Sequence, residues 1–149
     1  MKVNAWKMHW FWCVLALVSA TAAAQTGSVA EAVKHRDTQA TERLLLRKAD
    51  VNVALPDGAT ALAWAAHWDD TALAEKLIRA GAKPNLANEY GVTPLALACG
   101  TASAAMVEML LKAGADANAA EANGETALMT CARTGNSAAV RQLIARGAN

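Results

Sequence analysis

The residues that could carry chemistry are few, and they do not converge. His67 stands close to Asp69 and Asp70 in the run His67-Trp68-Asp69-Asp70, a set that invites a hard-metal reading. Three side chains crowded at one helix end, without further carboxylates, make a poor metal site. Asp70 is better used to cap the helix that follows. His35 is remote from His67 in the chain, and no His-Glu-x-x-His pair, phosphate loop or Gly-x-Ser-x-Gly elbow occurs. No catalytic residue, metal ligand or cofactor site is therefore expected. The remaining constellation is Trp64, His67 and Trp68, whose spacing puts two indoles on adjoining turns of one helix. An exposed indole desolvates a large rigid area and is a strong anchor for a partner.

The elements that must position these side chains recur along the chain. Gly58, Gly91 and Gly124 stand at a constant interval, and the same interval links Thr60 to Thr93 to Thr126, Leu62 to Leu95 to Leu128, and Gly81 to Gly114 to Gly147. A unit of that length cannot enclose a core of its own, so the copies must stack and bury their apolar faces on one another. Within one period a short helix opens at Thr60, Thr93 and Thr126, with Pro94 at its first position, where the missing amide hydrogen has no cost. A second helix opens at Asp37, Asp70, Ser103 and Asn136, all favoured N-cap types in register. Its apolar residues (Leu73, Leu77 and Ile78; Met106, Val107, Leu110 and Leu111; Val140, Leu143 and Ile144) recur at helical spacing and form the core between repeats. Glu75 with Arg79 and Glu108 with Lys112 mark the solvated face, each pair contributing about 0.2 to 0.5 kcal/mol. Gly81, Gly114 and Gly147 end these helices where a left-handed backbone is needed. Turns at Asp57-Gly58, Tyr90-Gly91 and Asn123-Gly124 then project as hairpins.

Cys99 and Cys131 fall at nearly equivalent places on neighbouring first helices. Packed helix axes lie about 8 to 10 Å apart, beyond the usual Cα reach of a disulfide, so two buried thiols in alanine positions are expected. The alternative is a disulfide, as an exported chain would permit.

The first 24 residues are of another kind. Lys2 and Lys7 lead into an apolar run from Trp10 to Ala20, and Ala22-Ala23-Ala24 precedes Gln25. This reads as a secretory signal peptide, the apolar run being too short for the roughly 20 residues that span a bilayer. An uncleaved anchor is the alternative. Cleavage after Ala24 removes two basic residues and no acidic ones and takes the formal charge from +1 to −1. The exported chain, periplasmic or extracellular, is expected to leave the membrane. Nor is nucleic acid an expected partner, since no Lys/Arg-rich block follows Gln25.

Gly91-Val92-Thr93-Pro94-Leu95-Ala96-Leu97-Ala98-Cys99 and Leu110-Leu111-Lys112-Ala113-Gly114-Ala115-Asp116-Ala117-Asn118 together resemble the ankyrin repeat family. The resemblance extends from Val29 onward and implies an all-α ankyrin solenoid of helix-turn-helix units with hairpin-like connectors. It divides the chain into the leader at 1–24, a degenerate N-terminal capping repeat at 25–56, repeats at 57–89 and 90–122, and an incomplete repeat at 123–149. The family's usual His is replaced by Ala63, Ala96 and Met129, and Lys48 stands where later copies place glycine. Trp64 takes a position that the family buries. His67 and Trp68 take positions that the family leaves variable and turns to its concave face. There Trp68 serves either as an anchor or as packing beneath the neighbouring hairpin.

The same correspondence continues the concave groove through Asp57 and Ala59, then Glu89, Tyr90 and Val92, then Asn123, Glu125, Arg133 and Thr134. The resemblance thus implies a non-enzymatic module that binds a protein partner on this groove. The absence of a polar cap after the last repeat raises two further expectations. One is that the chain is the recognition segment of a longer protein. The other is that further repeats, self-association or a partner cover the terminal face.

Overall fold

The structure, a computed structural model, describes residues 27–149. The leader read at 1–24 lies outside the described residues. Helices of six to nine residues occur in pairs: α1 (Val29–Lys34) with α2 (Thr38–Leu46), α3 (Ala61–His67) with α4 (Thr71–Arg79), α5 (Pro94–Gly100) with α6 (Ala104–Lys112), and α7 (Ala127–Arg133) with α8 (Ser137–Ala145). Helices this short are unstable alone, and tertiary packing must supply their stability.

Local sequence decides where each helix begins. Thr60, Thr93 and Thr126 accept hydrogen bonds at their hydroxyls from the amides of Ala63, Ala96 and Met129. Asp37, Asp70, Ser103 and Asn136 cap the second helices in the same way, and Ser28 caps α1. At the far ends Gly81, Gly114 and Gly147 hold φ of 93°, 91° and 83°. Lys48 holds φ 55° at the corresponding place in the first repeat.

Two layers result. In one, α1 packs on α3, α3 on α5 and α5 on α7; in the other, α4 packs on α6 and α6 on α8. Leu62, Leu77, Leu95, Met106, Leu110 and Leu143 are fully buried between the layers. Ala61, Ala65, Ala66 and Ala98 are also fully buried and bring the first helices close together. Each fully buried leucine contributes roughly 1.5 to 3 kcal/mol relative to exposure.

The cysteine expectation is corrected here. Cys99 on α5 and Cys131 on α7 form a disulfide, their Cα atoms 4.6 Å apart. The error lay in using the distance between axes: Cα atoms stand about 2.3 Å off each axis, so two on facing flanks lie some 3 to 5 Å apart. The small neighbours of both residues allow that approach.

Hairpin connectors join the units. The amides of Leu55, Asn88 and Glu121 donate to the carbonyls of Ala59, Val92 and Glu125 within successive hairpins. Glu89 N–H donates to Asp57 O at 3.0 Å, and Ala122 N–H to Tyr90 O at 2.9 Å, so each hairpin rests on the next. A second series runs through asparagines. Asn52, Asn85 and Asn118 donate from Nδ2 to the carbonyls of Gly81, Gly114 and Gly147, each at 3.0 Å. Their Oδ1 atoms accept from the amides of Lys83, Asp116 and Asn149. Every helix-terminating glycine is thereby tied to the repeat before it.

Candidate functional site

The short helix α3 carries the aromatic group. Its inner face, Ala61, Leu62, Ala65 and Ala66, is consumed by packing, which leaves Trp64, His67 and the C-cap residue Trp68 on another flank. Trp64 is half-buried against the core, and its Nε1 is buried without a hydrogen-bond partner. Trp68 is 39% exposed and stacks on Trp64 with ring centroids 6.0 Å apart. His67 meets both indoles edge-on, at 5.5 Å and 4.7 Å. Two cations from the first repeat complete the group: Lys34 Nζ lies 5.7 Å from the Trp64 centroid and the Arg36 guanidinium 5.2 Å from that of Trp68. Both separations are within the range of attraction to a ring face.

The hairpins position a second group. Asp57 accepts the Ala59 amide at its Oδ1, 2.9 Å away, and Asn123 accepts that of Glu125 at 2.8 Å. Tyr90 occupies the corresponding position in the middle hairpin and cannot close this turn with its own side chain. Asn88 does so instead, its Oδ1 accepting from both Tyr90 and Val92. Relieved of that task, the Tyr90 ring is 63% exposed. A side-chain hydrogen bond to Glu89 and the charge of that carboxylate hold its phenol above the ordinary value, with a smaller effect from Asp57. Glu89 is exposed beside it, and Val92 is half-buried. Ala59 is buried, and its contribution is the carbonyl that closes the first hairpin.

A third group closes the fourth repeat. Glu125 accepts from Thr130 Oγ1 at 2.8 Å and forms an ion pair with Arg133. These two interactions, the hydroxyl bond first, hold its carboxyl below the usual glutamate range. Thr134 Oγ1 lies 3.1 Å from the carbonyl oxygens of both Cys99 and Cys131, bridging α7 to α5 beside the disulfide. The singled-out residues thus form an aromatic group, a hairpin row and a C-terminal group of Glu125, Arg133 and Thr134.

Lys34, Arg36 and Asn88 were not singled out by sequence reasoning. Both cations lie in the degenerate N-terminal repeat, and their closeness to α3 depends on stacking between repeats. Asn88 could have been found, because an Asx residue two before a residue that lacks a turn-closing side chain is a substitute for it. Asp70 caps α4 through Leu73 N–H at 2.9 Å and is committed there. Among the described residues no cluster of three or more His, Cys, Asp or Glu side chains is arranged to hold a metal ion. No helix among them is long and apolar enough to cross a membrane.

A family model of ankyrin repeats, comprising three copies, matches residues 29–121 and again residues 65–149. No curated protein matches the chain significantly. Ankyrin repeats are generally protein–protein interaction modules, and the family is typically non-enzymatic. Paired short helices, stacked hairpins and a family match that reaches from α1 past α8 agree, and the chain belongs to the ankyrin repeat family.

Proposed function

We propose that this chain is an exported, non-enzymatic binding module that takes a protein partner across the flank built from α3 and the hairpin tips. The observation that carries the reading is the partial exposure of Trp68, held between its stack on Trp64 and the Arg36 guanidinium. A stacked indole is pre-oriented, so little side-chain freedom is lost on binding, and buried aromatic anchors dominate interface energies. Tyr90 adds a second amphipathic ring on the hairpin row.

Export is supported by the leader pattern at 1–24 and by the Cys99–Cys131 bond, since disulfides persist mainly in oxidising compartments. Capture from the native exported fraction, with the natural chain and with Trp68→Ala as baits, tests the binding reading. The variant should lose more than about 1 kcal/mol of affinity for the captured protein. Equal affinity would remove Trp68 from the interface. The intact mass of the chain recovered from that fraction should correspond to a start at Gln25; recovery of uncleaved chain would contradict export by a signal peptide.

A further inference from the structure

The seam between α2 and α4 holds a cleft of about 250 Å³, whose lining includes Val33, Arg36, Glu42, Trp68, Leu73 and Lys76. Trp68 belongs both to the aromatic group and to the wall of a concavity, whose other apolar lining is Ala72 and Leu73 with the buried Val33 at its base.

The lining carries two cations, Arg36 and Lys76, and two carboxylates, Glu42 and Asp70, but not all of them are paired. Glu42 and Lys76 pair across the seam at 3.6 Å. Asp70 uses Oδ1 on the Leu73 amide. Arg36 remains: among the described residues its side chain has neither an ion pair nor a hydrogen bond, and its guanidinium lies against the Trp68 ring. Lys34, equally without a carboxylate partner among them, lies against Trp64. A guanidinium set over an indole keeps its planar fork of N–H donors available, and that fork matches a carboxylate in two parallel hydrogen bonds. The ring also restricts the side chain and thereby reduces the ordering that binding requires.

We propose that this cleft anchors an acidic segment of the protein partner. An Asp or Glu carboxylate is received by Arg36, with Lys34 as a second cation nearby, and an adjoining aliphatic side chain enters between Trp68 and the Val33 and Leu73 surface. This rests on the protein-binding reading above and adds the partner's chemistry to it.

Selection of a phage-displayed random dodecapeptide library on the immobilised full chain tests the assignment. Peptides recovered on the natural chain should share an Asp or Glu next to an aliphatic residue. The best of them, made as a labelled peptide, should bind at least five-fold more tightly than its Asn or Gln counterpart. Arg36→Gln should abolish that difference, and Arg36→Lys, which keeps the charge but not the fork, should retain only part of it. Thermal melts of both variants verify that the fold is intact. A recovered set without acidic residues, one rich in Lys or Arg, the same acidic preference on Arg36→Gln, or failure to enrich any peptide would each overturn the proposal. Apolar peptides that bind the natural chain without acidic preference and are lost on Trp68→Ala would sink the acidic assignment while leaving the aromatic anchor in place. Peptides retained on Trp68→Ala would contradict the anchor itself.

Discussion

Ala102 adopts φ 56° in the turn between α5 and α6, the place that Gly135 fills between α7 and α8 with φ 74°. A left-handed backbone costs a residue with a Cβ roughly 1 to 2 kcal/mol, whereas glycine's extra freedom when unfolded returns about 0.4 to 1 kcal/mol of that. Ala102→Gly should therefore raise the urea midpoint without changing the slope, and a lowered midpoint would refute this assignment of strain. The position was illegible in the sequence because Arg36, Asp69 and Ala102 give no glycine signal, although the structure gives them φ of 56°, 52° and 56°. Caps were legible, since Asp, Ser, Thr and Asn act through their own local geometry. The cysteines were not, because their pairing depends on the rotation of two helices about their axes. In denaturant without reductant, the full chain should titrate at most one thiol, that of Cys13; three reactive thiols would contradict the Cys99–Cys131 bond. Its reduction should lower stability by about 2 to 4 kcal/mol.

The hairpins separate two uses of glycine. Gly58 and Gly91 hold φ of 81° and 80°, and a Cβ there would come within 2.9 Å of Asn88 Cα and 3.0 Å of the Ala122 amide nitrogen. Gly124 has φ 83° but open space around the same direction. Alanine at 58 or 91 should consequently destabilise more than alanine at 124, where backbone strain alone applies, and equal losses in urea titrations would argue against stacked hairpins. The sequence announced the turns through Asp-Gly, Tyr-Gly and Asn-Gly but not their close approach, which is a relation between repeats.

Glu125 offers a pH test of the last unit. Its folded carboxyl value is depressed by Thr130 and Arg133, so its stabilisation is present above the ordinary 4.5 and lost as pH falls through the lower folded value. Glu125→Gln should accordingly show a smaller drop in urea midpoint between pH 7 and pH 3 than the natural chain, and an identical drop would remove this contribution.

Across the array, the asparagine series makes stability a property of neighbours. Asn85 joins the connector after α4 to the end of α6 through Gly114 O and the Asp116 amide. These bonds are exposed, so each contributes toward the lower end of about 0.5 to 1.5 kcal/mol. Asn85→Ala should lower global stability by roughly 1 to 2 kcal/mol and, by weakening one interface in a linear stack, broaden the unfolding transition. The architecture was readable because a period carries its own evidence: the hairpin glycines, the helix-ending glycines, the capping threonines and the caps of the second helices recurred in register. The flank proposed for binding was only partly readable, since Trp68 and Tyr90 stood out by type while Lys34 and Arg36 reach it only through the packing of α1 on α3. Hydrogen–deuterium exchange of the chain with and without its captured partner tests the central claim most directly. Protection should appear at the end of α3 and at the hairpin tips around Asp57, Tyr90 and Asn123. Protection confined to the outer flanks of α6 and α8 would place the interface on the opposite layer and contradict the account.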